Sequence, residues 1–93
     1  MGPACEVLLV NDDGPTLDSI DALLASLADR MDRTRKGRVW DVWIRGRPMH
    51  VQIVDAVLAL SAGCNEPEDM TVLRELADRI VQTVGGMYSE PEK

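Results

Sequence analysis

Phenylalanine is absent from this chain of 93 residues, and two Trp and one Tyr supply all of its aromatic surface. The core must therefore be aliphatic, which makes each tryptophan conspicuous. Histidine occurs once, at His50, and the two cysteines, Cys5 and Cys64, stand far apart and in no CxxC pair. These are too few soft ligands for a structural zinc site and too few cysteines for a disulfide framework. The thiols are expected to be reduced, as in a cytoplasmic protein. No stretch approaches the ~20 consecutive apolar residues of a membrane helix. The N-terminus also lacks the basic region and apolar run of a secretory signal. The expected location is the cytoplasm, with no membrane partner.

What the chain does contain is ordinary for one globular domain, with 45% apolar and 28% charged residues. A domain of this size buries on the order of 60–65% of its unfolded surface, enough for one core. The net charge of −6 argues against nucleic acid, where phosphate contacts by basic residues supply most of the affinity. The charge is uneven, however. From Arg30 to Arg47 seven basic residues face only Asp32 and Asp41, a net of +5 that leaves −11 for the remainder. Arg35, Lys36, Arg45 and Arg47 are the candidates to meet an anionic partner, while Arg30 and Arg33 suit the C-terminal end of a helix.

Residues 6–10 are a short apolar run ended by Asn11-Asp12-Asp13-Gly14-Pro15, which predicts a buried strand and a turn. Leu17, Ile20, Leu23, Leu24, Leu27, Ala28 and Met31 then mark one face of a helix, with Thr16 as its N-cap and an Asp29–Arg33 pair near its end. Residues 38–54 alternate as a β-hairpin. A turn centred on Gly46-Arg47 would pair Ile44 with Met49, Val42 with Val51 and Trp40 with Ile53 on an apolar face. On the other face it would pair Trp43 with His50 and Asp41 with Gln52. Residues 55–62 fit either a third antiparallel strand or a helix, and a strand is preferred for the β-rich sequence upstream. A last helix follows, with Asn65 and Glu68 at capping-box spacing, Pro67 in its first turn and Gly85-Gly86 at its end. Its apolar face is Met70, Leu73, Leu76, Ala77, Ile80, Val81 and Val84.

The expected fold is an α+β two-layer sandwich of order β-α-β-β-β-α, a mainly antiparallel sheet with both helices on one face. Residues 1–86 would form a single domain and 87–93 a flexible C-terminal tail. Nothing in this order covers the second sheet face. Trp43, His50, Asp41 and Gln52 would stand on it, and an outward tryptophan points to an interface with a protein partner or a second copy. The helix–hairpin–strand–helix order is similar to that of double-stranded RNA-binding domains, but the acidic segment Asn65–Asp69 stands where such a domain needs lysines.

The segment Val7-Leu8-Leu9-Val10-Asn11-Asp12-Asp13-Gly14-Pro15 resembles the first strand and metal loop of SurE-type survival-protein nucleotidases. The resemblance implies a divalent metal such as Mg²⁺ or Mn²⁺ held by Asp12 and Asp13, with phosphomonoester hydrolysis as the activity. Ser61-Ala62-Gly63-Cys64-Asn65 is distantly similar to a later segment of that family, which would make Asn65 a further ligand. Adjacent carboxylates at a strand end are hard oxygen ligands suited to such a metal. The same four residues, Asn-Asp-Asp-Gly, are also ordinary turn formers. No other catalytic constellation stands out, and no Gly-rich phosphate loop is present. The leading expectation is a non-enzymatic interaction or dimerisation domain, with the metal-dependent phosphatase as its alternative.

Overall fold

The computed structural model describes residues 4–33, 38–63 and 65–89. In chain order these form β1 (Ala4–Leu8), α1 (Gly14–Leu27), β2 (Arg30–Arg33), β3 (Val39–Ile44), β4 (Arg47–Val54), β5 (Val57–Ala62), α2 (Pro67–Val84) and β6 (Met87–Ser89). The six strands make one sheet in the order β2-β3-β4-β5-β1-β6, with every neighbouring pair antiparallel. The α+β class and antiparallel sheet are as expected, with β2 and β6 added. Cys64 and residues 34–37, including Arg35 and Lys36, lie outside the described residues.

Side chains alternate across each strand, so burial divides the sheet cleanly into two faces. Cys5, Val7, Trp40, Val42, Ile44, Met49, Val51, Ile53, Leu58, Leu60 and Ala62 are buried on one of them. Ile20 and Leu24 of α1 join them, with Val72, Leu73, Leu76, Ala77 and Ile80 of α2. Both helices thus cover the same face. The register places Trp40 beside Val51, Val51 beside Leu60 and Leu60 beside Cys5, one continuous apolar row under the helices. Burying each such aliphatic side chain contributes roughly 1.5–3 kcal/mol. The one buried polar tip in this row is satisfied, since Trp40 Nε1 donates to Asp21 Oδ1 on α1 at 2.9 Å.

The hairpin turn lies one residue earlier than the sequence suggests. Arg45 and Gly46 are its central residues, with φ of 55° and 77°, the backbone sense that matches strand twist. The register therefore shifts by two. Trp43 faces Pro48, Asp41 faces His50 and Val39 faces Gln52, in place of the expected Trp43–His50 and Asp41–Gln52 pairs. A shift of two keeps every side chain on its expected face, because the side-chain period is two. The next hairpin repeats the device at Asp55-Ala56, with φ of 50° and 63°, and settles residues 57–62 as a strand. The Ala56 carbonyl is held there by the Leu9 N–H at 2.8 Å.

Further boundaries differ, among them β1, which runs over Ala4–Leu8 rather than 6–10. α1 starts at Gly14 with Asp13, not Thr16, as its cap, and stops at Leu27. Beyond it the chain turns into β2, because the Asp29 N–H donates to the Trp43 carbonyl (2.7 Å) and the Asp29 carboxylate accepts from the Gly46 N–H (2.9 Å). Sheet pairing here overrides helical periodicity, so Met31 and Arg33 are strand residues and Arg33 bonds Asp21 rather than Asp29. The capping box of α2 is Glu66/Asp69, one residue later than Asn65/Glu68. Met87–Ser89, expected in the tail, pairs with β1 as β6. Gly86 permits that turn: its φ is 125°, and a Cβ there would sit 2.5 Å from the Leu8 carbonyl oxygen.

Candidate interaction surface

The opposite sheet face has no helix or loop of the described residues over it. Strand register arranges it in four rows that run across the strands. The first is Arg30, Trp43 and Pro48; the second is Asp32, Asp41, His50, Ser61 and Ala4. The third is Val39, Gln52, Ala59, Glu6 and Ser89, and the last is Val54, Val57, Leu8 and Met87. All four interface residues expected from the sequence, Trp43, His50, Asp41 and Gln52, are on this one face.

Two local contacts order its centre. The Arg30 guanidinium lies 4.5 Å from the Trp43 ring centroid, a cation–π stack that leaves the indole half-buried. His50 Nδ1 is 2.8 Å from Asp41 Oδ1, its direct cross-strand neighbour. Arg30, expected at the end of α1, is thus the lid of an aromatic on the sheet. Its pairing with Asp32 at 3.4 Å is exposed and contributes little.

The described arginines of the basic window are engaged within the chain, while Arg35 and Lys36 lie outside the described residues. Arg33 bonds Asp21 (2.9 Å), Arg38 bonds Asp12 (3.1 Å) and Arg45 bonds Glu75 of α2 (3.1 Å). Arg47 reaches Asp69 (3.1 Å), Glu68 (3.0 Å) and Glu66 (3.5 Å). Asp69 is fully buried, and its second oxygen accepts the Glu66 N–H at 3.0 Å, so one carboxylate both caps α2 and anchors the start of β4. The hydrogen bond to Asp69 is the main cause that holds the Arg47 guanidinium above its ordinary pKa. Arg45 and Arg47 therefore serve as ties to α2, and they lie away from the uncovered face.

The two aspartates of the turn after β1 also have local duties. Asp13 Oδ1 accepts from the Thr16 N–H (3.0 Å) and hydroxyl (2.7 Å), which lowers the Asp13 pKa, the hydroxyl contributing most. With its amide nitrogen turned inward, Asn11 donates to Asp13 Oδ1 at 2.9 Å and Thr16 Oγ1 at 2.6 Å. Asp12 is engaged by Arg38. Asn65 follows the end of β5, and β5 is antiparallel to β1, so Asn65 and the Asp12-Asp13 pair lie at opposite ends of the sheet. Among the described residues no group of three or more His, Cys, Asp or Glu is placed to hold a metal ion.

The grouping of Trp43, His50, Asp41 and Gln52 on one face was legible from strand parity alone. The row Val54–Val57–Leu8–Met87 was not, because it depends on β1 joining β5 and β6 joining β1, non-local pairings with no sequence signal. No described helix is long and apolar enough to cross a membrane. No protein-family model matches the chain, and no significant match exists among curated proteins or solved structures.

Proposed function

We propose that this chain is a protein-interaction domain that docks through its uncovered sheet face. The observation that carries the reading is Trp43. One of three aromatic residues in the chain stands on an outward face, stacked under Arg30, beside the His50–Asp41 pair and with no element of the described chain over it. Tryptophan and arginine are the residues that most often anchor protein interfaces. Six strands of three to eight residues, at ~3.3 Å per residue and ~4.8 Å apart, span a face of roughly 500 Å², the scale of small, transient interfaces rather than the ~800 Å² per partner of a standard one.

The face is mixed in character, with Trp43, Val39 and Pro48 interleaved with Asp41, His50, Gln52 and Ser61, as in non-obligate interfaces. The test is Trp43→Ala. It should weaken association, whether with a second copy or another protein, while the urea midpoint stays near wild type. Loss of folding in this variant would place Trp43 in the core and end the reading.

A further inference from the structure

Among the described residues, the large apolar side chains left exposed, apart from Tyr88 on the other face, gather at one end of the sheet. Leu8 is 51% exposed, Val54 54% and Met87 70%, and Val10 follows β1 at the same margin. Cross-strand register sets Val54 opposite Val57, Val57 opposite Leu8 and Leu8 opposite Met87. The result is an unbroken apolar row over four adjacent strands, about 15 Å long at ~4.8 Å per strand.

Among the described residues, the charges beside this row that lack an ion pair share one sign. Glu6 lies one row inward on β1 and Asp55 stands in the adjoining turn, both exposed and neither ion-paired among the described residues. Arg38, which leads into β3 at this end, is engaged by Asp12. A second copy would bring its own Glu6 and Asp55, and a further net charge of −6, to the same contact. Like charges juxtaposed at an interface oppose association, whereas cations would meet carboxylates with no ion-pair partner among the described residues.

From this row and its acidic margin we infer that the face takes a segment of another protein, apolar at its centre and flanked by Lys or Arg. The inference rests on the docking function proposed above and names the chemistry of the partner. The ¹⁵N-labelled full chain is titrated with two synthetic amphipathic helices of identical leucine pattern, one with lysine and one with glutamate at the polar positions. The lysine peptide should shift the amides of the row and leave α2 still, and the glutamate peptide should not bind. Leu8→Lys with Val54→Lys, both at exposed positions, should keep the native spectrum and weaken binding at least tenfold. Glu6→Gln with Asp55→Asn should weaken it several-fold and flatten its salt dependence.

Equal binding of both peptides, binding of neither, or undiminished binding of the lysine peptide to the Leu8/Val54 variant would overturn the inference. So would a dimer, seen by sedimentation, that this variant dissolves, since that puts a second copy in the row. Adsorption to phosphatidylcholine vesicles that is lost in the same variant would assign the row to a lipid surface instead. Failure of the wider docking function reads differently, as unfolding of Trp43→Ala.

Discussion

Trp40 and Trp43 are three residues apart on one strand and live in opposite worlds. Trp40 is sealed beneath the helices with its indole N–H satisfied by Asp21. Trp43 lies on the other face, where the guanidinium of Arg30 stacks over its ring and no other element of the described residues covers it. The same residue type is thus buried on one face and half-exposed on the other, and strand parity alone decides which. A tryptophan in the core is explained by the fold. One on the outer face is not, and it carries the functional proposal.

Substitutions can sharpen or break this contrast. The largest effect should come from Trp40→Ala, which leaves a cavity and removes one of the two partners of Asp21, at a cost of roughly 3–5 kcal/mol by chemical denaturation. Trp43→Ala should cost less than about 1 kcal/mol, because the indole is half solvated and loses one cation–π contact. Comparable losses at the two sites would erase the distinction between the faces. Asp69→Ala should follow Trp40→Ala at about 2 kcal/mol, since it removes a buried carboxylate that satisfies both the Glu66 N–H and Arg47. Glu68→Ala, which touches Arg47 from the solvent side, should stay within about 0.5 kcal/mol.

A smaller effect is expected with pH at the N-terminus of α1. The Asp13 pKa is lowered in the folded chain below its ordinary 3.8. Its stabilisation is therefore present above that value and lost as the pH falls through the lowered one. The urea midpoints of wild type and Asp13→Asn should differ by more at neutral pH than below pH ~3.8. A gap that widens on acidification would contradict the capping role. Smallest of all should be the response to Mn²⁺, followed as amide line broadening. With Asp13 capping α1, Asp12 held by Arg38 and Asn65 at the far end of the sheet, broadening should be diffuse. Broadening centred on residues 11–14 and extending to Asn65 would revive the phosphatase alternative.

The faces of the sheet were legible in the sequence and the pairings were not, for one physical reason. Parity along 39–44 and 47–54 depends only on the chain itself, so Trp43, His50, Asp41 and Gln52 could be grouped before any partner strand was known. Register depends on the turn, and nothing in Arg45-Gly46 advertises an arginine at positive φ over the alternative Gly46-Arg47. β2 hid inside a helical pattern because Met31 is apolar at the helical spacing, yet its backbone is claimed by β3. β6 is three residues long behind two glycines, and only the close approach of Gly86 to Leu8 makes room for it. Long-range pairing, which composition does not encode, also assembled the apolar row.

The docking function is tested most directly by photo-cross-linking in cells that make the protein. A benzophenone amino acid is placed at Gln52, on the uncovered face, or at Gln82, exposed on α2 as a control. Protein adducts are expected from Gln52, few from Gln82, and the Gln52 adducts should be lost when Trp43→Ala is added. Adducts that form equally from Gln82, or that persist without Trp43, would contradict the docking function.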